Sequence, residues 1–481
     1  MKTFHAGAMI RGQIIDQDPV RFGGRSQGIE FLSPDPARLL PRLPLGGSTR
    51  MQDLQELAFA DILDYLHSLG AMLRLSDNPY LQEALEASCL TSGQTRPLLT
   101  AAYEALPHWF DRAFVAEMTD RCVGTDYLEK WVPTTLADGR QVSVRAFGSR
   151  ALHIIAGNSP LIAGLSIVRN AVTRSDAIIK SPSNDPFTAL AIARTMVEMA
   201  PDHPITRHLS VAYWKGGDEA FENTLYRPQH LEKIVAWGGF ASVKHVTRYI
   251  QPGLELISLD PKRSISIIGR EALGDDAKQK DVAKRLAADI GSLNQEGCVN
   301  ARVVYVISGT DEDGLRALNA FGRRVYEALL ALPESVSTKP RFFDRDLKAN
   351  LEAAGLNDEW YQVFGGDDEE GAIIVSQLSE PVSFASRLGS RVANLVPVDE
   401  VEAVFDAVDA YTQTVGIYPE TLKAELRDRL PLYGAQRLTS LGYAASAAVA
   451  APQDAIEPMR RMCKWIVDET CDPNTVKPIW E

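Results

Sequence analysis

The sequence predicts an α/β protein of two doubly wound domains with a cleft between them and a small projecting hairpin for oligomerisation. Three observations lead there. Between residues 151 and 268, short apolar stretches alternate with amphipathic ones: strands at Ala151–Ala156, Ala177–Lys180, Leu209–Trp214, Lys233–Trp237 and Ser264–Ile268, with helices at Leu161–Arg174, Pro186–Met199 and Ala241–Ile250. Such alternation implies parallel βαβ units with right-handed crossovers. The pattern restarts near Glu271, where Val282, Leu286, Ile290 and Leu293 share a helix face ahead of strands at Val303–Ile307, Ala372–Val375 and Ala393–Val396. Finally, 481 residues exceed the size at which one core stops growing, so the chain should divide.

The remaining elements follow in order. Residues 1–50, rich in Gly, Pro and Arg, suggest an extended arm or loops. From Met51 to about Met118 apolar residues such as Leu54, Leu57, Ile62, Tyr65, Leu66, Leu81 and Leu85 recur at helical steps. Asp138-Gly139 between two β-prone runs predicts a hairpin, because that dipeptide tolerates the positive φ of a tight turn. The strand-like Trp465-Ile466-Val467 could pair with it, and the alanine-rich tract Tyr443–Pro452 is too short to span a membrane and reads as a buried strand or helix.

Composition narrows the function. A net charge of −13, with no Lys/Arg run, argues against nucleic-acid binding. Five scattered cysteines, an odd number without paired CxxC spacing, argue against a disulfide framework and structural zinc. With no leader and no long apolar stretch, a cytoplasmic enzyme without a membrane span is expected.

Four strand-end motifs carry the chemistry. In Asn294-Gln295-Glu296-Gly297-Cys298-Val299-Asn300 the cysteine lies between a helix end and a strand, where its thiolate can attack a carbonyl; a small buried hydrophobe is the alternative. Asn158, in Gly157-Asn158-Ser159-Pro160, can hydrogen-bond a developing oxyanion, or it or Ser159 can cap the next helix. Lys180-Ser181-Pro182-Ser183 closes the following strand, and Gly238-Gly239 closes a later one, where a backbone can approach a phosphate. Neither GxGxxG nor a Walker sequence is present.

Together these four landmarks resemble the aldehyde dehydrogenase superfamily over roughly residues 127–470. The endings Arg437-Leu438-Thr439-Ser440-Leu441-Gly442, Ala451-Pro452-Gln453-Asp454 and Met459-Arg460-Arg461-Met462-Cys463-Lys464-Trp465-Ile466 are similar to those of the long-chain acyl-CoA reductases of the bacterial luminescence type. The resemblance implies an aldehyde dehydrogenase-like fold. It divides the chain into an N-terminal arm and helical segment (1–126), an oligomerisation hairpin (127–149), a nicotinamide cofactor domain (150–268), a catalytic domain (269–442) and a C-terminal return with tail strand (443–481). It makes Cys298 the nucleophile, Asn158 with the Cys298 N–H the oxyanion donors, Lys180 the ribose ligand and Gly238-Gly239 the turn beside the cofactor. Ser183 stands where NAD-preferring relatives carry glutamate, leaving room for a 2′-phosphate; the implied cofactor is NADPH, with NADH as the alternative. Glu380, in Glu380-Pro381-Val382, is what remains of a Glu-x-Phe-Gly-Pro segment for the nicotinamide ribose.

Two departures matter. The Glu-Leu-Gly-Gly of oxidising relatives, whose glutamate activates water, reads Ser258-Leu259-Asp260-Pro261, and Lys244 replaces a usual glycine. The activity the resemblance implies is therefore reduction of an acyl-CoA or other acyl thioester, long-chain in that family, to the aldehyde through a thioacyl-cysteine. The competing expectations are an aldehyde dehydrogenase with Asp260 or Glu296 as base, and a non-catalytic scaffold. The implied partners are further copies of the chain, as homodimer or homotetramer, and an acyl-transferring enzyme; no metal is implied.

Overall fold

The computed structural model describes residues 4–23, 30–446, 449–474 and 476–480. The chain forms two compact units, one of residues 1–92, 102–259 and 449–481 and the other of residues 93–101 and 260–448.

The first unit is built on a seven-stranded sheet. Its strands are β1 (Ala8–Ile10), β2 (Gln13–Ile15), β3 (Arg150–Ile154), β4 (Asp176–Lys180), β5 (Leu209–Ala212), β6 (Lys233–Trp237) and β7 (Glu255–Leu259), in the spatial order β7-β6-β3-β4-β5-β1-β2. From β3 to β5 the chain steps one way across the sheet, and β6 and β7 lie on the other side of β3. The pairs among β3 to β7 are parallel, while β1 meets β5 antiparallel. Helix α1 (Pro160–Val172) has Pro at its first position, Ser159 as cap and an almost wholly buried circumference, so it is a core layer rather than a surface helix. Helix α2 (Thr188–Met199) is buried in the same way. Leu152, Ile154, Ile178, Ile234 and the fully buried Trp214 pack in one core cluster.

Two expectations change here. The arm of residues 1–50 is not plain loop: β1 and β2 extend the main sheet, and Phe4–His5, Pro19–Gly23 and Glu30–Pro34 form a separate three-stranded sheet. Strands of two to five residues are too short to show a period, which is why the sequence reads as irregular. The strand at residues 263–268 does not close the first domain either. It belongs to the second sheet, and the last strand of the first is β7, whose Ile257 and Leu259 face inward.

Helices at Phe59–Met72, Pro79–Thr91 and Arg112–Cys122 occupy the expected helical stretch. The hairpin joins Val132–Thr135 to Gln141–Phe147, with Gly139 at φ +87° in the turn, and Lys464–Thr470 pairs antiparallel along its other edge. The tract 443–452 forms neither helix nor strand among its described residues; Ala447 and Ala448 lie outside them.

The second unit carries β8 (Arg263–Ile268), β9 (Ala301–Val306), β10 (Tyr361–Gly365), β11 (Ala372–Ser376), β12 (Val392–Pro397), β13 (Thr412–Tyr418) and β14 (Arg437–Ser440), ordered β10-β11-β12-β9-β8-β13-β14. All pairs are parallel except β10 with β11. Alternate residues of β9 feed the two faces: Val303 and Tyr305 enter one core cluster, Val304 and Val306 the other. Helices α3 (Asp276–Gly291) and α4 (Glu312–Leu330) cover the second face, each capped by an aspartate, Asp275 and Asp311.

Candidate active site

In the first unit the predicted residues gather at the carboxyl ends of adjacent parallel strands. Ile154 pairs with Lys180 on one side and with Ala236 on the other, so the loops bearing Asn158, Lys180 to Ser183 and Gly238-Gly239 leave the sheet side by side. The strand order reverses between β3 and β6, and such a switch point opens a crevice for a ligand. The loop after β3 is tight. A Cβ on Gly157 would stand 2.4 Å from Asn184 Oδ1, and Asn184 Nδ2 donates to Gly157 O at 3.0 Å. The helix cap falls to Ser159, whose Oγ accepts from Leu161 N at 3.4 Å, so capping does not account for Asn158, which is partly exposed.

Lys180 Nζ lies over the rings of Tyr213 and Trp214, 5.8 and 5.5 Å from their centroids. Buried Trp214 thus supports the ammonium from below. Nothing lies within 4 Å of a Cβ built on Gly239, and Gly238 would meet only Ser242, so neither glycine is forced by its neighbours. That space fits the close approach of a dinucleotide backbone. Lys244 is exposed, its Nζ 5.7 Å from the centroid of the Phe240 ring.

In the second unit Cys298 precedes β9, at the amino end of a strand. The preceding turn is strained: Leu293, Asn294 and Gln295 have φ of 53°, 53° and 65°, a left-handed run without glycine. Side chains hold it. Asn294 Oδ1 accepts from Thr338 N at 2.8 Å and Asn294 Nδ2 donates to Thr338 Oγ1 at 3.0 Å. Gln94 Nε2 donates to Leu293 O at 3.3 Å, and Thr95 and Thr338 hydroxyls meet at 2.8 Å. Gln295, 1% exposed, donates to Ala301 O and Val392 O and accepts from Val392 N.

Cys298 itself is pinned by its backbone. Ser264 Oγ donates to Cys298 O at 2.6 Å while accepting from Thr414 N, and Gly297 N donates to Asn300 Oδ1 at 2.9 Å. Asn300 Nδ2 continues to Asp289 O. Asp289 accepts from Gly442 N and Ala444 N, and burial pushes its carboxyl up to about 6 against those bonds and Arg437. The Cys298 side chain is partly exposed, whereas Cys463 is buried and its thiol is pushed up to about 12. The buried-hydrophobe alternative describes Cys463, not Cys298.

Glu296 is exposed by area, although desolvation raises its carboxyl and Arg302 lowers it. Water access outweighs the crowding, which makes it a loop carboxylate. Asp260 pairs at 3.6 Å with Lys262, whose side chain is buried and also donates to Ala410 O. Glu380 is exposed beyond the carboxyl end of β11. The stretch that touches the nucleophile turn is instead Leu388 to Val392, through Arg302 Nε to Leu388 O at 2.8 Å and the Gln295–Val392 bonds. Sequence reasoning missed Ser264, Arg302, Asn300 and Gln295 as its supports. The only signal was the run of amides around Gly297-Cys298.

The sequence pattern of the family described as Acyl-CoA reductase (LuxC) matches residues 54–465. The chain belongs to that family. Membership makes it an oxidoreductase acting on an acyl oxo group. This acyl-CoA reductase family member is 29% identical over 358 residues to the long-chain acyl-protein thioester reductase of Aliivibrio fischeri, covering 73% of this chain and 70% of that one. It is 24% identical over 477 residues to that of Vibrio harveyi, covering 97% and 93%. Among solved structures it is similar to aldehyde dehydrogenase 21 from Physcomitrella patens, solved with succinate (TM-score 0.75, 12% identity, 98% and 99% covered), and to an indole-3-acetaldehyde dehydrogenase with NAD+ (TM-score 0.73, 15% identity, 96% of each). The reductase has the aldehyde dehydrogenase fold. No described helix is long and apolar enough to cross a membrane.

Proposed function

We propose that this chain reduces a long-chain acyl thioester, acyl-CoA or acyl-protein, to the aldehyde with NADPH, through a thioacyl intermediate on Cys298. The observation that carries the reading is a partly exposed cysteine on a strained turn fixed by Ser264, Gln295 and Asn300, in a member of the acyl-CoA reductase family. The relatives' names as long-chain acyl-protein thioester reductases support the substrate class.

The Cys298 thiolate adds to the thioester carbonyl carbon. Negative charge develops on the carbonyl oxygen, and the Asn158 amide and Cys298 N–H donate to it, the roles their match to the superfamily implies. Collapse expels the donor's thiolate, leaving an acyl group on sulfur. A nicotinamide cofactor, its dinucleotide held by Lys180 and the Gly238-Gly239 turn, would supply the hydride for that carbonyl carbon. The resulting thiohemiacetal breaks its C–S bond, releasing aldehyde and returning the Cys298 thiolate. Ser258, where oxidising relatives have their water-activating glutamate, supplies no carboxylate, which favours this exit over hydrolysis.

Lys180, the open glycines Gly238-Gly239 and the strand switch point support a dinucleotide on the first unit, and the small Ser183 supports NADPH over NADH. Glu380 remains the proposed contact for the nicotinamide ribose. The exposed Ile466 and Val467 support assembly of copies through the three-stranded hairpin sheet.

The test is to incubate the purified chain with labelled palmitoyl-CoA without cofactor, map the label by peptide mass spectrometry, then add NADPH. Label on Cys298 that converts to aldehyde is the expected result. Label elsewhere, or equal label on Cys298→Ala, overturns it.

A further inference from the structure

The nucleophile turn encloses a half-buried cation, Arg302, that the mechanism above does not use. Arg302, on β9, folds back beneath the turn that carries Cys298: Nε donates to Leu388 O at 2.8 Å and Nη2 to Gln295 O at 3.5 Å. Both partners are neutral carbonyls. Nη1 is shielded from solvent and has no hydrogen-bond partner among the described residues. A guanidinium does not give up its proton in a protein, so burying one with an unclaimed N–H is costly unless an anion shares the space.

We propose that Arg302 is a positioning residue that holds the Cys298 sulfur as a thiolate in the resting enzyme, in place of a general base. The inference rests on the reading of Cys298 as acyl acceptor. It addresses a gap in that reading, because the position where oxidising relatives carry a glutamate holds Ser258. A neighbouring cation is an established way to favour the thiolate, the thiol proton passing to solvent before substrate arrives.

The charges facing Cys298 within its unit come from three elements. Arg302 on β9 and Arg437 on β14 both interact electrostatically with its sulfur, and Glu296 lies on its own turn. Arg263 on β8 also acts electrostatically on Arg302, and Asp289 on α3 on Arg437. Arg437 is already engaged with the carbonyls of Tyr443, Ala444 and Ser446. Glu296 is exposed and shares Arg302 with the sulfur. Arg302 is therefore the cation with donor capacity left over.

The test reads the pH dependence of iodoacetamide alkylation at Cys298, by peptide mass spectrometry on the full chain without substrate or cofactor. Arg302→Gln should move the inflection upward by about one pH unit and slow alkylation at neutral pH about tenfold, while Arg302→Lys keeps most of the reactivity. An Arg302→Gln profile coincident with wild type overturns the proposal, as does a larger shift in Arg437→Gln. Should Arg302→Gln fail to fold, Glu296→Gln decides: removing that carboxylate should move the inflection downward, and an unmoved inflection overturns the proposal. Alkylation does not require acyl transfer, so a chain acylated elsewhere defeats the functional reading and leaves this result standing.

Discussion

The two seven-stranded sheets solve different problems with similar architecture. In the first, the functional loops leave the carboxyl ends of β3, β4 and β6: the turn after β6 offers space, with glycines no neighbour crowds, and the one after β4 a lysine resting on aromatic rings. In the second, Cys298 enters at the amino end of β9 behind three left-handed residues, and what fixes it is a set of buried amides. An uncrowded turn tolerates change in its surroundings. A nucleophile held against backbone strain does not, so function and stability should separate in the first unit and move together in the second.

The largest expected effect is the loss of the nucleophile. Cys298→Ala should lower aldehyde formation by about 10³-fold or more, read as NADPH consumption with palmitoyl-CoA. Next comes Asn158→Ala, expected to cost about 10²–10³ in kcat with an unchanged thermal midpoint, because Ser159 and not Asn158 caps α1. A fall in the midpoint would move Asn158 from chemistry to structure and break the contrast between the units.

Asp289 provides a pH test. Its folded value of about 6 exceeds its ordinary 3.8, so the neutral form is favoured in the fold. That contribution is complete below about pH 4 and is lost as pH rises through about 6, amounting to about 3 kcal/mol. Denaturant titrations from pH 4 to 7 should show that slope in wild type and not in Asp289→Asn, whatever the variant's absolute stability.

Asn294→Ala should destabilise by about 2 kcal/mol, losing its bonds to Thr338 while keeping a strained φ. Asn294→Gly removes the same bonds but adopts that φ at little cost, and should recover about 1 kcal/mol. Equal losses in the two variants would show that the turn stores no backbone strain. The smallest effect is Ser159→Ala, about 0.5–1 kcal/mol, since its capping bond is long at 3.4 Å.

The parallel strands β3 to β6 and helices α1 and α2 were legible because local period and burial agree: β4 reads Asp-Ala-Ile-Ile-Lys and is buried until its last residue. Cys298, Asn158 and Lys180 stand in the sequence as an ordered set of landmarks, and the structure places each at or just beyond the end of a strand. What holds Cys298 was not legible, because Ser264, Thr338, Leu388 and Val392 reach it from distant points of the chain and carry no spacing that marks them. The edge strands β1 and β2 escaped notice for a related reason: three residues gain their conformation from the partner strand, not from their own pattern. Glu380 rests on a fragment of motif, and it lies exposed beyond β11.

One pairing bears on how the protein is made. Lys464–Thr470 completes the small sheet on Gln141–Phe147 through seven residue pairs. During translation the Gln141–Phe147 edge is made early and stays unsatisfied until the whole second unit, residues 260–448, has been made. An open edge offers its N–H and C=O groups to any other chain within reach. Until Lys464–Thr470 arrives, that edge is therefore the nascent chain's most open site for mispairing.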